Sequence, residues 1–208
     1  MNPGVAIVGC GLIGQKRAKA LAGARLVACA DIHRARAMAL ARTVPGAIDT
    51  DDWREAVRHP DVHIVVVATT NDMLTEISVA ALEAGRHVIV EKPAARSVAE
   101  LDRMITAAEQ HRRYVRVGFN HRYHPSLQKA RELIDQGALG ELMFLRGRYG
   151  HGARVGYDKE WRSNPALSGG GELIDQGIHL IDLSHWFLGE FTSVNGFCLL
   201  YTSPSPRD

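Results

Sequence analysis

Short apolar runs alternate with amphipathic helical patterns from the beginning of the chain to about residue 119. The run Ile64–Val67 is unbroken, as expected for a strand that helices cover on both faces. Repeated strand and helix patterns of this kind predict an α/β domain with a doubly wound parallel sheet over residues 1–119. The predicted strands cover 5–9, 26–31, 47–48, 63–68, 87–90 and 114–119, and the predicted helices cover 15–22, 34–41, 52–58, 73–84 and 97–111.

The pattern changes after residue 120. A predicted helix over 126–136 is followed by a long predicted strand over 141–149, a loop rich in glycine and arginine, and a helix that begins near Gly171. These elements predict a second, α+β domain over residues 120–197. One strand and two helices cannot form a sheet with a buried face, so we expect this domain to be incomplete.

The last residues of the chain, 198–208, contain a Ser/Pro run that cannot pair in a sheet. They resemble in-frame translation of a sequencing-library adapter, which predicts a non-native tail on a truncated chain. A flexible natural tail is the alternative. If the chain is truncated, we expect it to have little or no activity by itself.

Composition and charge argue against several classes of protein. With 46% hydrophobic and 23% charged residues, the chain is typical of a globular protein. Its formal net charge is +2 and its basic residues are scattered, so we expect no nucleic-acid or membrane-surface partner. No apolar run approaches the ~20 residues needed to cross a bilayer, and the N-terminus enters a strand pattern directly, which favours a cytoplasmic protein. The three cysteines match neither a disulfide framework nor a zinc site, and no metal site is predicted.

A glycine-rich turn follows the first predicted strand and opens the first helix, in the segment Gly9-Cys10-Gly11-Leu12-Ile13-Gly14. This context distinguishes a Rossmann dinucleotide fingerprint from an ordinary tight turn, which is the alternative. Gly9 permits the turn, Gly11 lets a pyrophosphate approach the backbone amides, and Gly14 lets the helix pack closely on the strand. The amides of Leu12 and Ile13 belong to the helix N-terminus, which favours negative charge.

An acidic residue at the end of the second predicted strand bears on the choice of dinucleotide. Asp31 stands about 20 residues beyond the glycines, where a carboxylate accepts hydrogen bonds from the ribose hydroxyls and repels a 2′-phosphate. NAD is therefore the predicted cofactor. His33 and Arg34 follow directly, and an arginine beside the ribose is how a 2′-phosphate is accommodated, so NADP stays open.

Three further residues have side chains suited to oxidation of an alcohol. Lys92, within Glu91-Lys92-Pro93, follows the fifth predicted strand at the sheet edge where open α/β sheets bind ligands, and its bond to the proline could be cis. Asp175 and His179 lie four residues apart on one face of a predicted helix. An imidazole can take a hydroxyl proton near neutral pH, a carboxylate can orient a partner, and an ammonium can stabilise an alkoxide. Taken singly, such residues are more often a surface lysine, a capping or surface acid and a structural histidine.

These motifs together resemble the glucose-fructose oxidoreductase and inositol dehydrogenase (Gfo/Idh/MocA) family over residues 4–197. The resemblance implies that Lys92, Asp175 and His179 are catalytic, with the nicotinamide near Lys92. It also implies a larger open, mainly antiparallel sheet in the substrate domain and a homo-oligomeric full-length protein. The cofactor contacts implied in this way are Thr69, Asn71, Glu91 and Lys92, and the implied substrate-lining residues are Arg122, Tyr123, Trp161 and Arg162.

Two of these implied contacts have alternatives in the residues themselves. A packed tryptophan and a solvated arginine are equally good interpretations of Trp161 and Arg162. The turn after the fourth strand also departs from the family pattern, because this chain has Thr69-Thr70-Asn71 where the family often has Thr-Pro-Asn followed by a histidine. The expected contacts on the nicotinamide side depend on this turn.

The activity implied by the resemblance is transfer of a hydride between a hydroxyl-bearing carbon of a sugar, sugar derivative or cyclitol and NAD(P). In this hypothesis His179 accepts the hydroxyl proton, Lys92 stabilises the oxyanion, and Asp175 orients His179 or a neighbouring substrate hydroxyl. One alternative is a glycoside-cleaving enzyme that recycles its NAD, which would act without net formation of NADH. Another is a non-catalytic regulator that senses dinucleotides, for which the lysine, aspartate and histidine together would be unnecessary.

Overall fold

A six-stranded parallel sheet forms the first half of the molecule, in a computed structural model that describes residues 2–149 and 155–197. The strand order is β3-β2-β1-β4-β5-β6, with every neighbouring pair parallel. The predicted doubly wound α/β sheet is thereby confirmed. The strands are Gly4–Val8 (β1), Arg25–Ala30 (β2), Ile48–Thr50 (β3), Ile64–Val67 (β4), His87–Val90 (β5) and Val115–Val117 (β6).

Helices connect the strands, and in the described residues after β6 the regular elements are helices and helical turns. The α-helices are Leu12–Lys19 (α1), Arg34–Ala41 (α2), Trp53–Arg58 (α3), Asn71–Glu83 (α4), Val98–His111 (α5), Pro125–Asp135 (α6), Pro165–Ser168 (α7) and Ile178–Leu188 (α8). Three 3₁₀ turns lie at Asn120–Tyr123, Tyr157–Lys159 and Trp161–Ser163, and a π-helical turn, Leu173–Gly177, leads into α8. No helix in the described part of the chain is both long and apolar enough to span a membrane.

The core lies on both faces of the sheet because alternate residues of each strand point to opposite faces. On one face Ala6 and Val65 join an apolar cluster with α4 and α5, and on the other face Ile7 and Val66 join a cluster with α2. The strand order reverses between β1 and its two neighbours β2 and β4. Ligands of open α/β sheets bind in the crevice that such a reversal creates at the carboxyl ends of the strands.

Local chemistry explains where two of the helices begin and end. The helix α1 begins at Leu12, three residues before its predicted start, and it ends before Ala22, which has a positive φ of 35°. The helix α5 begins as predicted, because the Ser97 side chain accepts a hydrogen bond from the backbone N–H of Glu100. The Glu100 carboxylate accepts in turn from the N–H of Arg96 at 2.8 Å.

The prediction of a strand over residues 141–149 is wrong. These residues have no ladder partner, and Met143 and Phe144 are 92% and 77% exposed. A strand forms only when another strand accepts and donates its hydrogen bonds, and no strand occurs after β6 among the described residues. The implied antiparallel sheet is accordingly not seen in residues 120–149 and 155–197. The predicted tail, 198–208, lies outside the described residues.

Side chains from α4 and from the turn before α5 hold the short helix α7 against the sheet. The amide of the buried Asn71 donates a hydrogen bond to the carbonyl of Ser168 at 2.9 Å. Arg96 donates to the carbonyl of Ala166 at 2.6 Å. A Cβ on Gly169 would lie 2.6 Å from the Cβ of Arg96, so the chain after α7 passes as close to this arginine as a glycine allows. These contacts bring the π-helical turn and α8 to the carboxyl edge of the sheet.

Candidate active site

The three glycines of the first turn differ in the space that surrounds each of them. Gly9 has φ +92°, and a Cβ there would lie 2.4 Å from the carbonyl oxygen of Ala68. A Cβ on Gly14 would lie 2.0 Å from the carbonyl oxygen of Gly9. By contrast, no atom of the described residues lies within 4 Å of the Cβ position of Gly11. Packing within the protein therefore requires the first and last glycines, while the middle one leaves open space beside the N-terminus of α1.

Asp31 is fixed by the same turn. Its Oδ2 accepts a hydrogen bond from the backbone N–H of Cys10 at 2.8 Å, and its Oδ1 accepts from the N–H of His33 at 2.8 Å. The carboxylate is buried at the end of β2, beside the open space at Gly11. Leu12 and Ile13 form the first residues of α1, which starts earlier than predicted, so their backbone amides lie at the helix N-terminus. An open backbone cradle, a helix N-terminus and a fixed carboxylate are together the features that fit the pyrophosphate and ribose of a dinucleotide.

Arg34 is engaged by an acidic residue rather than free for a phosphate. Its Nε donates to Oδ2 of Asp49 at 3.1 Å, across the ends of β2 and β3. The hydrogen bond to Asp49 raises the pKa of Arg34, and the charges of Asp49, Asp51 and Glu55 act in the same direction. Acidic groups therefore surround Arg34, which stands three residues after Asp31.

The predicted cofactor contacts near β4 and β5 are partly occupied by other groups. The Thr69 hydroxyl, just after β4, donates to the carbonyl of Thr70 at 3.2 Å, and the Asn71 amide binds Ser168 as described above. The Glu91 carboxylate accepts a hydrogen bond from Nε of Arg17 at 2.6 Å. Arg17, on α1, was missed at the sequence level because nothing in a helical pattern indicates a partner 74 residues away.

The ammonium of Lys92 meets the carboxylate of Asp175 at the carboxyl edge of the sheet. Nζ donates to Oδ1 of Asp175 at 2.6 Å and also to the Asp175 carbonyl. The other carboxylate oxygen, Oδ2, lies 3.3 Å from Nε of Arg162 and accepts from the Gln176 amide at 3.2 Å. The Lys92–Pro93 peptide bond is cis, which the sequence left open. The structure thus brings together two of the three predicted catalytic side chains with one predicted substrate residue.

The charge of Asp175 is stabilised by its partners. Burial raises the pKa of this carboxyl, but the hydrogen bond and charge of Lys92, followed by the charge of Arg162, outweigh burial. The pKa is therefore below its ordinary value, and Asp175 is ionised at neutral pH. An ionised, buried carboxylate holds the lysine ammonium in a fixed position.

His179 is buried within a small aromatic cluster. Its ring centroid lies 3.9 Å from that of His121, with an angle of 29° between the planes. Phe119 packs edge-on at 6.2 Å, and Tyr149 lies at 6.0 Å. The Nδ1 atom of His179 is buried and has no hydrogen-bond partner within residues 2–149 and 155–197. Stacking therefore holds this ring where a hydrogen bond commonly would.

Burial, together with the charges of His121 and Lys92, lowers the pKa of His179 to about 4, and the charges of Asp182 and Asp175 oppose this shift. The imidazole is neutral at physiological pH and able to accept a proton. His121 was missed at the sequence level, although it directly follows the position, residue 120, after which the sequence pattern changes. A histidine signals no particular partner until the fold brings two of them together.

The other predicted substrate residues lie in different surroundings. Arg122 donates from Nε to Oδ2 of the buried Asp182 at 2.8 Å and from Nη2 to its Oδ1. Tyr123 is 62% exposed, and its hydroxyl accepts a hydrogen bond from Arg116. The guanidinium of Arg162 lies over the Trp161 ring at 4.5 Å. Trp161 therefore packs against the arginine that pairs with Asp175. No described contact joins Tyr123 to the Lys92 cluster.

Within the described residues, no group of three or more His, Cys, Asp or Glu side chains is arranged to hold a metal ion. The polar side chains that converge at the carboxyl edge are an ammonium, a carboxylate, a guanidinium and an imidazole, beside a crevice suited to a dinucleotide.

A crevice of this kind fits a dinucleotide, and two family models match the chain. Residues 4–119 match the GFO_IDH_MocA oxidoreductase family with an NAD-binding Rossmann fold. Residues 127–205 match the GFO/IDH/MocA C-terminal domain, a match that overlaps the predicted tail. The chain belongs to the Gfo/Idh/MocA family, as the motifs implied.

Named relatives are dehydrogenases of sugars and cyclitols. The chain is 38% identical over 148 residues to levoglucosan dehydrogenase of Pseudarthrobacter phenanthrenivorans, covering 70% of this chain and 38% of that protein. It is 32% identical over 190 residues to inositol 2-dehydrogenase of Salmonella paratyphi B, covering 88% and 54%. The chain thus spans about half the length of the relatives that it matches, or less.

Solved structures show the same likeness. Levoglucosan dehydrogenase in complex with NADH and levoglucosan superimposes with a TM-score of 0.81 at 31% identity, over 92% of this chain and 55% of that chain. The myo-inositol 2-dehydrogenase from Lactobacillus plantarum gives a TM-score of 0.81 at 25% identity, over 91% and 57%.

Proposed function

We propose that this protein is an NAD-dependent dehydrogenase that transfers a hydride between a hydroxyl-bearing carbon of a sugar, sugar derivative or cyclitol and the nicotinamide. The observation that carries the proposal is the contact of 2.6 Å between Nζ of Lys92 and Oδ1 of Asp175, with His179 one helical turn further along the chain. These residues come from segments more than 80 positions apart and meet at the sheet edge where α/β proteins bind ligands.

The roles of the three side chains follow from their surroundings. The neutral imidazole of His179 takes the substrate hydroxyl proton, because its lowered pKa keeps it unprotonated until substrate arrives. The Lys92 ammonium stabilises the negative charge that develops on the oxygen. Asp175 holds that ammonium in place, because its carboxylate accepts hydrogen bonds from Lys92 and Gln176 and pairs with Arg162 rather than with His179. When bound, NAD supplies the acceptor for the hydride.

The choice of NAD over NADP is supported by the adenosine end of the crevice. A 2′-phosphate would meet the buried carboxylate of Asp31, and Arg34 is held by Asp49. The substrate class is supported by the named activities of the relatives. A dinucleotide-binding domain over residues 1–119 and a substrate domain from residue 120 onward fit this cofactor and this substrate class.

Replacing Lys92 with Ala in the full-length gene product tests the proposal. Turnover should fall about 10²- to 10³-fold, because the developing oxyanion loses its charged partner. NAD affinity should change by less than about threefold, since the glycine turn and Asp31 are untouched. NADH formation is measured against a panel of sugars, sugar derivatives and cyclitols, and NAD affinity by calorimetry.

Lys129→Ala provides a matched control. Lys129 is an exposed lysine on α6 that pairs with Glu132 at 2.8 Å, and its removal should leave turnover unchanged. Full turnover in the Lys92 variant would refute the role given to this lysine. Turnover of glycosides without net NADH would instead favour the cofactor-recycling alternative.

A further inference from the structure

Within the part of the chain that the structure describes, Nδ1 of His179 lacks the hydrogen bond that usually orients a catalytic imidazole. In such bases the second ring nitrogen commonly donates to a carboxylate or a carbonyl, which fixes both the tautomer and the ring plane. Here Nδ1 is buried and unpartnered within the described ranges, and His179 is only 4% exposed. The nearby carboxylate of Asp175 is engaged by Lys92 and Arg162.

A second imidazole supplies the missing constraint. His121 follows β6 in the 3₁₀ turn Asn120–Tyr123, and its ring lies nearly parallel to that of His179 at 3.9 Å between centroids. Phe119 closes one edge of the His179 ring. A ring held on its face and at its edge cannot rotate about χ2 without losing both contacts.

The next residue along the chain fixes the register of this stack. Arg122 makes two hydrogen bonds to Asp182, which lies three residues after His179 on α8. Asp182 is buried, so this pair is a specific bond between the turn and the helix rather than a solvent-exposed contact. Neighbouring residues of the turn, His121 and Arg122, therefore meet neighbouring positions on one face of α8.

The stack also affects the protonation of the two imidazole rings. Two imidazolium ions at this distance would repel each other strongly, so protonating one ring disfavours protonating the other. The pKa of His121 is itself lowered, first by burial and then by the charges of His124 and Lys92. The titratable and charged groups that face the two rings are Lys92, His124, Asp175, Asp182, Tyr149 and, through its bond to Asp182, Arg122.

We propose that His121 is a positioning residue for His179: its ring fixes the plane of the imidazole that takes the substrate proton and opposes protonation of that imidazole before substrate binds. The inference rests on the proposed function, because the position of His179 matters for activity only if His179 accepts the proton. The stack itself can be tested without any turnover.

Histidine ring signals followed by NMR during a pH titration of the 208-residue chain give that test. In wild type, His179 should titrate far below an ordinary histidine and show coupling to His121. In His121→Phe, which keeps an aromatic ring but no charge, the coupling should disappear and the pKa of His179 should rise. In His121→Ala the ring also loses its stacking partner, and the rise should be larger, about one pKa unit or more.

His185→Ala is the matched control, since His185 is an exposed histidine on the same helix and should leave the titration of His179 unchanged. In the full-length gene product, His121→Ala should lower kcat about tenfold and shift the acidic limb of the pH profile upward, while His121→Phe should recover most of kcat. Identical titrations of His179 in wild type and both variants would overturn the inference.

Failure of the proposed function would look different. Coupled titration without any NAD-dependent turnover would keep the stack and remove its catalytic meaning. Turnover that depends on Lys92 but is unaffected by either His121 variant would keep the dehydrogenase and remove the positioning role. If His121→Ala does not fold, the titration of His121→Phe decides the question.

Discussion

The two ends of the nucleotide crevice are built in different ways. The glycine end is formed by residues 9–33, and it is fixed by backbone atoms, by the space that glycines leave, and by a carboxylate that binds the turn. The lysine end is assembled from side chains of Lys92, Asp175 and His179, and it is fixed by charge and stacking. Steric constraints do not depend on pH, whereas charges do. One end is therefore part of the sheet domain itself, whereas the other exists only while the π-helical turn and α8 stay against the sheet.

The largest effect that separates the two ends is expected from the glycines. Gly14→Ala should lower the free energy of unfolding by about 3 kcal/mol or more, because its Cβ would overlap backbone. Gly11→Ala should cost less than about 1 kcal/mol, since its Cβ meets open space. The same Gly11 variant should weaken NAD binding about tenfold, or roughly 1.4 kcal/mol. Chemical denaturation and calorimetry measure the two quantities.

These two variants control each other, because the same methyl group is added at both positions. Equal losses of stability would mean that Gly11 is a packing glycine like Gly14. Unchanged NAD affinity in Gly11→Ala would place the pyrophosphate elsewhere and break the comparison at its glycine end.

An effect of intermediate size concerns pH at the lysine end. The folded chain holds His179 with a pKa of about 4, against about 6.5 for an ordinary histidine. Unfolding therefore takes up a proton between these values, and the free energy of unfolding should fall as pH falls from about 6.5 to 4, by on the order of 3 kcal/mol. Denaturation curves at several pH values measure this slope.

His179→Gln should flatten the slope in that window, while His185→Gln on the same helix should leave it unchanged. Gly14→Ala should lower the whole curve in parallel, because steric overlap is the same at every pH. A slope that survives in His179→Gln would show that another group dominates the acid sensitivity of the chain.

The smallest effect concerns the choice of dinucleotide at the glycine end. Asp49→Asn releases Arg34 and should improve NADP affinity about two- to fivefold, the size expected for one exposed ion pair, with NAD affinity nearly unchanged. Asp61→Asn removes the same charge from an exposed pair with Arg25 at the beginning of β2, far from the ribose position, and should change neither affinity. An equal gain for NADP in both variants would point to net charge rather than to the release of Arg34.

The glycine end could be predicted from the sequence more fully than the lysine end. The sheet and the glycine turn were predicted because unbroken apolar runs and the spacing of Gly9, Gly11 and Gly14 are local signals. The meeting of Lys92 with Asp175 came from family resemblance, since spacing alone placed each residue on its own element. The contact of His121 with His179 left no trace in any local pattern, because it depends on how α8 returns to the sheet.

The incorrect prediction of a strand over residues 141–149 shows that a local pattern alone does not determine a strand. The apolar run at 142–145 is a real local signal, yet a strand needs a neighbour, and no strand follows β6 among the described residues. Local pattern therefore predicted the sheet domain well, where each strand has its partners within 119 residues, and failed where the partner had to come from elsewhere.

The ion pair between Arg17 and Glu91 joins the glycine end of the crevice to the lysine end. Arg17 lies on the helix whose first residues adjoin the glycine turn, and Glu91 is the residue directly before Lys92. The guanidinium spans from α1 to the end of β5 and also donates to the carbonyl of Gly118 beyond β6. Because this pair links α1 to the residue beside Lys92, a displacement of α1 relative to β5 would break it.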